Sequence, residues 1–101
     1  AFVPNLWHLE VSNVLLSAMT RFDIQVSQVE GYTAQLEELP ISVDSATASQ
    51  AFGRTMSLAQ AFGLSSYDAA YLELAVRKSL PLATLDKELR KAARKAKVQI
   101  L

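Results

Sequence analysis

Three acidic residues stand in otherwise apolar surroundings, and they are the side chains most able to do chemistry. Glu10 and Asp68 each lie within an apolar helical pattern, and Asp86 directly follows the apolar segment 82–85. A buried carboxylate is costly unless it is paired or bound to a cation. Because no Lys or Arg lies within one turn of Glu10 on its own predicted helix, a partner must come from elsewhere.

A shared divalent cation would explain all three carboxylates together. Clustered like charges repel one another and need compensation, which a hard cation supplies. The chain has no Cys and only His8 as an imidazole, which argues against a zinc site and in favour of Mg²⁺ or Mn²⁺. Such ions bound by carboxylates promote phosphodiester hydrolysis by activating water.

Each carboxylate also has a purely structural interpretation, which the sequence leaves open. Ser65 and Asp68 have the spacing of a capping box, in which both would only satisfy backbone N–H groups. Asp86 is a suitable N-cap for the helix that follows it. Glu10 has Asn13 one turn away as a potential hydrogen-bond partner, and a backbone group could serve instead.

The formal net charge is zero, but the charges are segregated along the chain. Residues 22–53 carry five acids and no Lys or Arg, whereas residues 86–97 carry six bases and two acids. A basic helix of this kind suits phosphate binding, although a solvated helix face explains it equally well. The candidate phosphate-binding residues on it are Lys87, Arg90, Lys91 and Arg94.

Hydrophobic periodicity predicts helices alternating with short strands, and hence one α/β domain over residues 1–101. After the apolar stub Phe2-Val3, the expected helices cover 5–20, 24–38, 45–62 and 66–78, with a last one from 86. The expected strands cover 41–43, 82–84 and 98–101. The first helix is apolar on nearly every side, which predicts that it is buried.

Nothing in the sequence indicates a membrane or an oxidising compartment. No apolar run approaches the length of a membrane span, no basic and apolar leader opens the chain, and disulfides are excluded. We therefore expect a cytoplasmic protein with no membrane partner.

Three segments of the chain resemble the PIN-domain ribonucleases, in particular the VapC-type toxins of type II toxin–antitoxin systems. In chain order they are Leu6-Trp7-His8-Leu9-Glu10-Val11-Ser12-Asn13, Ser65-Ser66-Tyr67-Asp68-Ala69-Ala70-Tyr71, and Leu82-Ala83-Thr84-Leu85-Asp86. The last two are specific in combination, and the first is less so. The resemblance extends over the whole chain.

The resemblance implies a PIN-like α/β/α sandwich with a short parallel central sheet, and a Mg²⁺- or Mn²⁺-dependent endoribonuclease. Glu10, Asp68 and Asp86 would be its catalytic and metal-binding residues. Asn13, Thr84 and Ser65 would support them, the last by capping the helix that presents Asp68. The implied partners are an RNA substrate, a cognate antitoxin and a second copy of the chain in a homodimer.

The sequence departs from the family at its N-terminus. Family members begin with a strand that ends in an Asp and lies in the middle of the sheet, and nothing before Glu10 matches it. We therefore expect these 101 residues to be N-terminally incomplete and inactive alone. Two alternatives stay open: an RNA-processing PIN nuclease outside any toxin–antitoxin pair, and a non-catalytic binding module.

Overall fold

The computed structural model describes every residue from 1 to 101, and about 65% of them are helical. No helix is both long and apolar enough to span a membrane. The elements in chain order are β1 (Phe2–Val3), α1 (Trp7–Phe22), α2 (Val26–Glu37), β2 (Ser42–Val43), α3 (Thr47–Gln50), a π-helical turn (Ala51–Thr55), α4 (Met56–Phe62), α5 (Ser66–Lys78) and α6 (Lys87–Lys95).

The strands form two separate parallel pairings rather than one sheet. β1 pairs with β2 in the register Phe2 to Ser42 and Val3 to Val43. Leu82 forms an isolated parallel bridge with Ile100. The structure is thus mixed α/β with a small parallel sheet. The sequence predicts only an apolar stub at Phe2-Val3, where the structure has β1. The strands predicted over 82–84 and 98–101 are reduced to the single bridge between Leu82 and Ile100.

The main core lies between α5 and α6. Leu72 and Ala75 of α5 pack with Leu82 and with three residues of α6, namely Leu89, Ala92 and Ala93. The inner face expected for the amphipathic last helix is confirmed at these three positions, and Ala96 packs half-buried beside them. Asp86 therefore begins a helix that is held firmly in place by its apolar side.

Helix α1 does not occupy the buried position that its composition predicts. No residue of α1 is buried, and Leu9 and Val14 are 77% and 66% exposed. The prediction of a buried first helix is wrong for this chain: α2, which lines a groove with the apolar side of α1, leaves that side partly exposed and buries no residue of its own either. The polar strip that contains Glu10 therefore lies on a partly exposed helix.

The helix expected over 45–62 starts later and is interrupted. It begins at Thr47, and Ala51–Thr55 adopts a π-helical turn before α4 continues. Neither of the expected caps, Asp44 or Ser45, caps it. Asp44 is instead only 5% exposed and binds Arg77 of α5.

Arg77 joins β2 to α5 through two buried carboxylates. Its guanidinium donates to both oxygens of Asp44, at 3.1 and 2.5 Å, and to both oxygens of Glu73, at 2.7 and 3.0 Å. These hydrogen bonds hold the pKa of Asp44 below its ordinary value, with burial acting in the opposite direction. The network fixes α5 beside the small sheet, and α5 presents two of the residues considered below.

Candidate functional site

Glu10 on α1 is held by a tyrosine on α5. The hydroxyl of Tyr71 donates a hydrogen bond to Oε1 of Glu10 across 61 residues of sequence. Both side chains are half-buried. Burial, together with this hydrogen bond and the neighbouring charges of Glu10 and Asp68, raises the pKa of Tyr71 well above its ordinary range. The tyrosine therefore stays protonated and remains a donor at neutral pH.

Asp68 lies one turn before Tyr71 on the same face of α5. Ser65 caps this helix, since its hydroxyl accepts from the Asp68 backbone N–H at 3.1 Å. The capping role expected of Ser65 is confirmed. The Asp68 carboxylate itself takes no part in the cap and accepts no hydrogen bond from the chain. The Asp68 carboxylate thus does not form its half of the predicted capping box, and both of its oxygens remain without a donor from the chain.

Asp86 is the N-cap of α6, as its structural interpretation predicted. Its Oδ2 accepts from the Leu89 backbone N–H at 2.8 Å. Its own backbone N–H donates to Oγ1 of Thr84 at 3.1 Å. Arg90 in turn donates to the Thr84 carbonyl at 3.0 Å. The turn that carries Asp86 is therefore rigidly set, and Oδ1 of the exposed carboxylate accepts no hydrogen bond from the chain.

The three predicted carboxylates differ in their relation to Tyr71. Glu10 and Asp68 both act on the Tyr71 hydroxyl, whereas Asp86 is not among the charges that act on it. No group of three or more His, Cys, Asp or Glu side chains is placed to hold a metal ion. That all three carboxylates share one cation therefore stays a prediction.

Carboxylate oxygens such as those of Glu10 and Asp68 are the kind of ligand that Mg²⁺ takes in proteins. This ion keeps several of its water ligands and is usually bound by one or two protein carboxylates together with substrate phosphates. Asn13 lies beside Glu10 on the same strip of α1, and both line an open cleft of about 650 Å³ with Tyr67 of α5. The supporting position expected for Asn13 is thus next to Glu10, and its amide faces solvent.

The candidate RNA-binding residues divide into two groups. Lys87, Lys91 and Arg94 are exposed on α6 and form no ion pair within the chain. Arg90 is half-buried and uses its guanidinium to hold the Thr84 carbonyl. The structure therefore gives Arg90 a local structural contact that the other three bases do not have.

An apolar groove of about 550 Å³ separates the two strand pairings. Phe2 and Val3 line it on one side, and Leu82 and Ala83 on the other. In the β1–β2 ladder, Ser42 N–H donates to the Ala1 carbonyl and Asp44 N–H donates to the Val3 carbonyl. Because backbone groups alternate in direction along a strand, the N–H and C=O of Phe2 point away from β2. Leu82 uses both of its backbone groups on Gln99 and Leu101, so Ala83 points away from that bridge. Backbone edges thus face the groove without partners.

Sequence reasoning missed Tyr71 and Arg77. A signal for Tyr71 was present, because Asp68 and Tyr71 are three residues apart and share a helix face. No comparable signal points to Arg77, because its partner Asp44 is 33 residues away and has the local pattern of a helix cap.

Comparison with known proteins does not assign the chain to a family. No family model matches it, and no curated protein sequence matches it significantly.

Proposed function

We propose that this chain is the larger part of a metal-dependent endoribonuclease of the PIN type, acting as the toxin of a toxin–antitoxin pair. The observation that supports the proposal is the hydrogen bond from Tyr71 of α5 to Glu10 of α1, because Asp68 lies one turn before Tyr71 on the same helix although it is 58 positions from Glu10 in the sequence. Carboxylates that are not paired with a Lys or Arg, as is true of Glu10 and Asp68, are suited to bind a hard divalent cation.

The roles of the residues follow from their positions. Glu10 and Asp68 would hold Mg²⁺ or Mn²⁺, and Asp86 would approach the same site from the rigid turn at the start of α6. When bound, the cation supplies water activation and charge stabilisation for cleavage of an RNA phosphodiester. Lys87, Lys91 and Arg94 would bind backbone phosphates independently of sequence.

Cleavage of RNA by the full-length protein tests the proposal. We expect cleavage that requires Mg²⁺ or Mn²⁺ and is lost in Glu10→Gln, Asp68→Asn and Asp86→Asn, because each change removes an oxygen charge from the site. Glu30→Gln and Asp23→Asn are matched controls on exposed positions and should retain activity. If the three site variants cleave as well as the controls, the nuclease assignment fails and a non-catalytic binding module becomes the better interpretation.

We also propose that a fifth strand occupies the groove between the two pairings in the active protein. Its support is the pair of unpartnered backbone edges at Phe2 and Ala83, since an open strand edge is a template for pairing with a further strand. Hydrogen exchange on full-length protein and on the 101-residue chain tests this. The Phe2 and Ala83 amides should be protected only when the strand is present, and equal, rapid exchange in both samples would exclude it.

The toxin proposal also implies two protein partners. A cognate antitoxin and a second copy of the chain would cover apolar surface, and α1 exposes large apolar side chains at Leu9, Val14 and Leu16. Light scattering of the protein alone and after co-expression with the neighbouring gene product would detect either partner.

A further inference from the structure

The α2 segment and the α6 segment carry opposite charges that the chain does not pair with each other. Residues 23–38 contain four acids and no Lys or Arg, which gives a formal charge of −4. Residues 86–97 contain six bases and two acids, which gives a formal charge of +4. All four acids of the α2 segment are exposed, and no ion pair within the chain involves either segment. Both surfaces are therefore available to a partner of opposite charge.

On α2 the acids border an apolar groove. Val26, Glu30, Thr33 and Glu37 recur at helical spacing and share one side of α2, which we call the acidic row. Thr33 and Glu37 also line a groove of about 260 Å³, whose other walls are mainly apolar side chains of α1 and α2. Neither helix buries a residue, and helices of this length gain most of their stability from packing. A partner that covers the groove would therefore stabilise both helices.

The outer side of α6 matches this surface in spacing and chemistry. Lys87, Lys91 and Arg94 stand at i, i+4 and i+7, opposite the buried face of α6, and form its basic row. With a rise of about 1.5 Å per residue, seven positions span roughly 10.5 Å, the same separation as Glu30 and Glu37 on α2. The aliphatic stems of Lys and Arg pack on apolar surface while their charged ends stay at its edge. Basic side chains can thus lie over the groove and reach the acids beside it.

We infer that the chain self-associates, with the basic row of α6 in one copy lying along the acidic row of α2 in a second copy. A second copy is the favoured occupant because one chain carries both complementary surfaces. The formal net charge of the whole chain is zero, so two copies do not repel each other overall. A dimer formed by two α2 surfaces would instead bring like charges together, which is unfavourable. In a two-fold dimer, each copy would give its α6 to the other's α2.

Such a contact has a measurable salt dependence, because exposed ion pairs are individually weak and are screened by salt. Sedimentation equilibrium of the full-length protein measures the dissociation constant of the self-associated form. We expect this constant to rise about tenfold or more between about 0.05 and 0.5 M NaCl. The sample contains neither RNA nor metal, so the result is independent of the proposed nuclease function.

Exchanging the charges of the two rows tests the contact directly. Glu30→Lys with Glu37→Lys reverses the acidic row, and Lys87→Glu with Arg94→Glu reverses the basic row. Each double variant alone should lose self-association at low salt, because rows of like charge would then face each other. An equimolar mixture of the two double variants should associate again, since every row then meets one of opposite charge.

A third double variant controls for net charge. Asp23→Lys with Glu38→Lys changes the charge of the α2 segment by the same amount but leaves the acidic row intact, so it should associate nearly as wild type does. All six changed positions are exposed, and circular dichroism checks that each variant is folded. A wild-type protein that stays monomeric at low salt would overturn the inference. Self-association that the row variants do not weaken, or a mixture that stays monomeric, would overturn it as well.

Discussion

Replacing Arg77 by methionine would leave two buried carboxylates without the cation that is hydrogen-bonded to both. Asp44 and Glu73 are 5% and 3% exposed, and Arg77 makes two hydrogen bonds to each. Removing one partner from a buried ion pair costs about 3–5 kcal/mol, because the remaining charge is left uncompensated. Since 27% of the Arg77 side chain is exposed, we expect the lower end of that range.

Such a loss is large for a domain of this size. Domains have stabilities of about 5–15 kcal/mol, and 1 kcal/mol shifts the melting temperature of a 60–100-residue domain by roughly 4–8 °C. Thermal unfolding followed by circular dichroism at neutral pH should therefore show Arg77→Met melting about 12 °C or more below wild type. Arg54→Met is the control, because Arg54 is exposed and forms no ion pair.

The same variant has a defined pH dependence. Hydrogen bonds from Arg77 lower the folded-state pKa of Asp44 below its ordinary value of 3.8, so the pairing stabilises the fold above about pH 4. That contribution is lost as the pH falls through the lowered pKa. The difference between wild type and Arg77→Met should accordingly shrink toward about pH 3. A variant that melts within a few degrees of wild type at neutral pH, or a gap that widens in acid, would refute this reasoning.

Three further changes test the packing and capping. Leu72 is fully buried, so Leu72→Ala should lower the free energy of unfolding, measured in urea, by about 2–5 kcal/mol. Leu85 is 92% exposed, so Leu85→Ala should hardly change it. Equal losses in the two variants would contradict the described core. Ser65→Ala removes the cap of α5 and should lower stability by about 1 kcal/mol, while Ser65→Asp should restore most of it. Thr84→Val removes the hydroxyl that accepts from the Asp86 backbone N–H, so this amide should exchange its hydrogen faster. An unchanged exchange rate would argue against that hydrogen bond.

The sequence predicts best where local rules and packing agree. Ser65 has a cap residue's type and position, and α5 begins directly after it as expected. In α6 the apolar spacing of Leu89, Ala92 and Ala93 corresponds to one buried face. At these places the local pattern and the tertiary contacts favour the same structure, so periodicity is sufficient.

Prediction from sequence fails where contacts between residues far apart in the chain determine the structure. The composition of α1 indicates burial, but a composition cannot tell whether another element is present to cover the helix. Asp44 resembles a cap by its local sequence, yet the buried pairing with Arg77 is stronger than a capping bond. The link from Tyr71 to Glu10 likewise depends on how α1 crosses α5, which periodicity does not specify.

The unburied hairpin of α1 and α2 divides the chain into regions of unequal local stability. The main core comes from residues 58–100, so this hairpin should open in native-state fluctuations while the rest stays folded. Opening would carry Glu10 away from Asp68, and a cation held by both would bind only the closed population and increase it. Added Mg²⁺ should then slow amide exchange in α1 and leave α5 unaffected, which would make hairpin closure and metal binding a single coupled equilibrium.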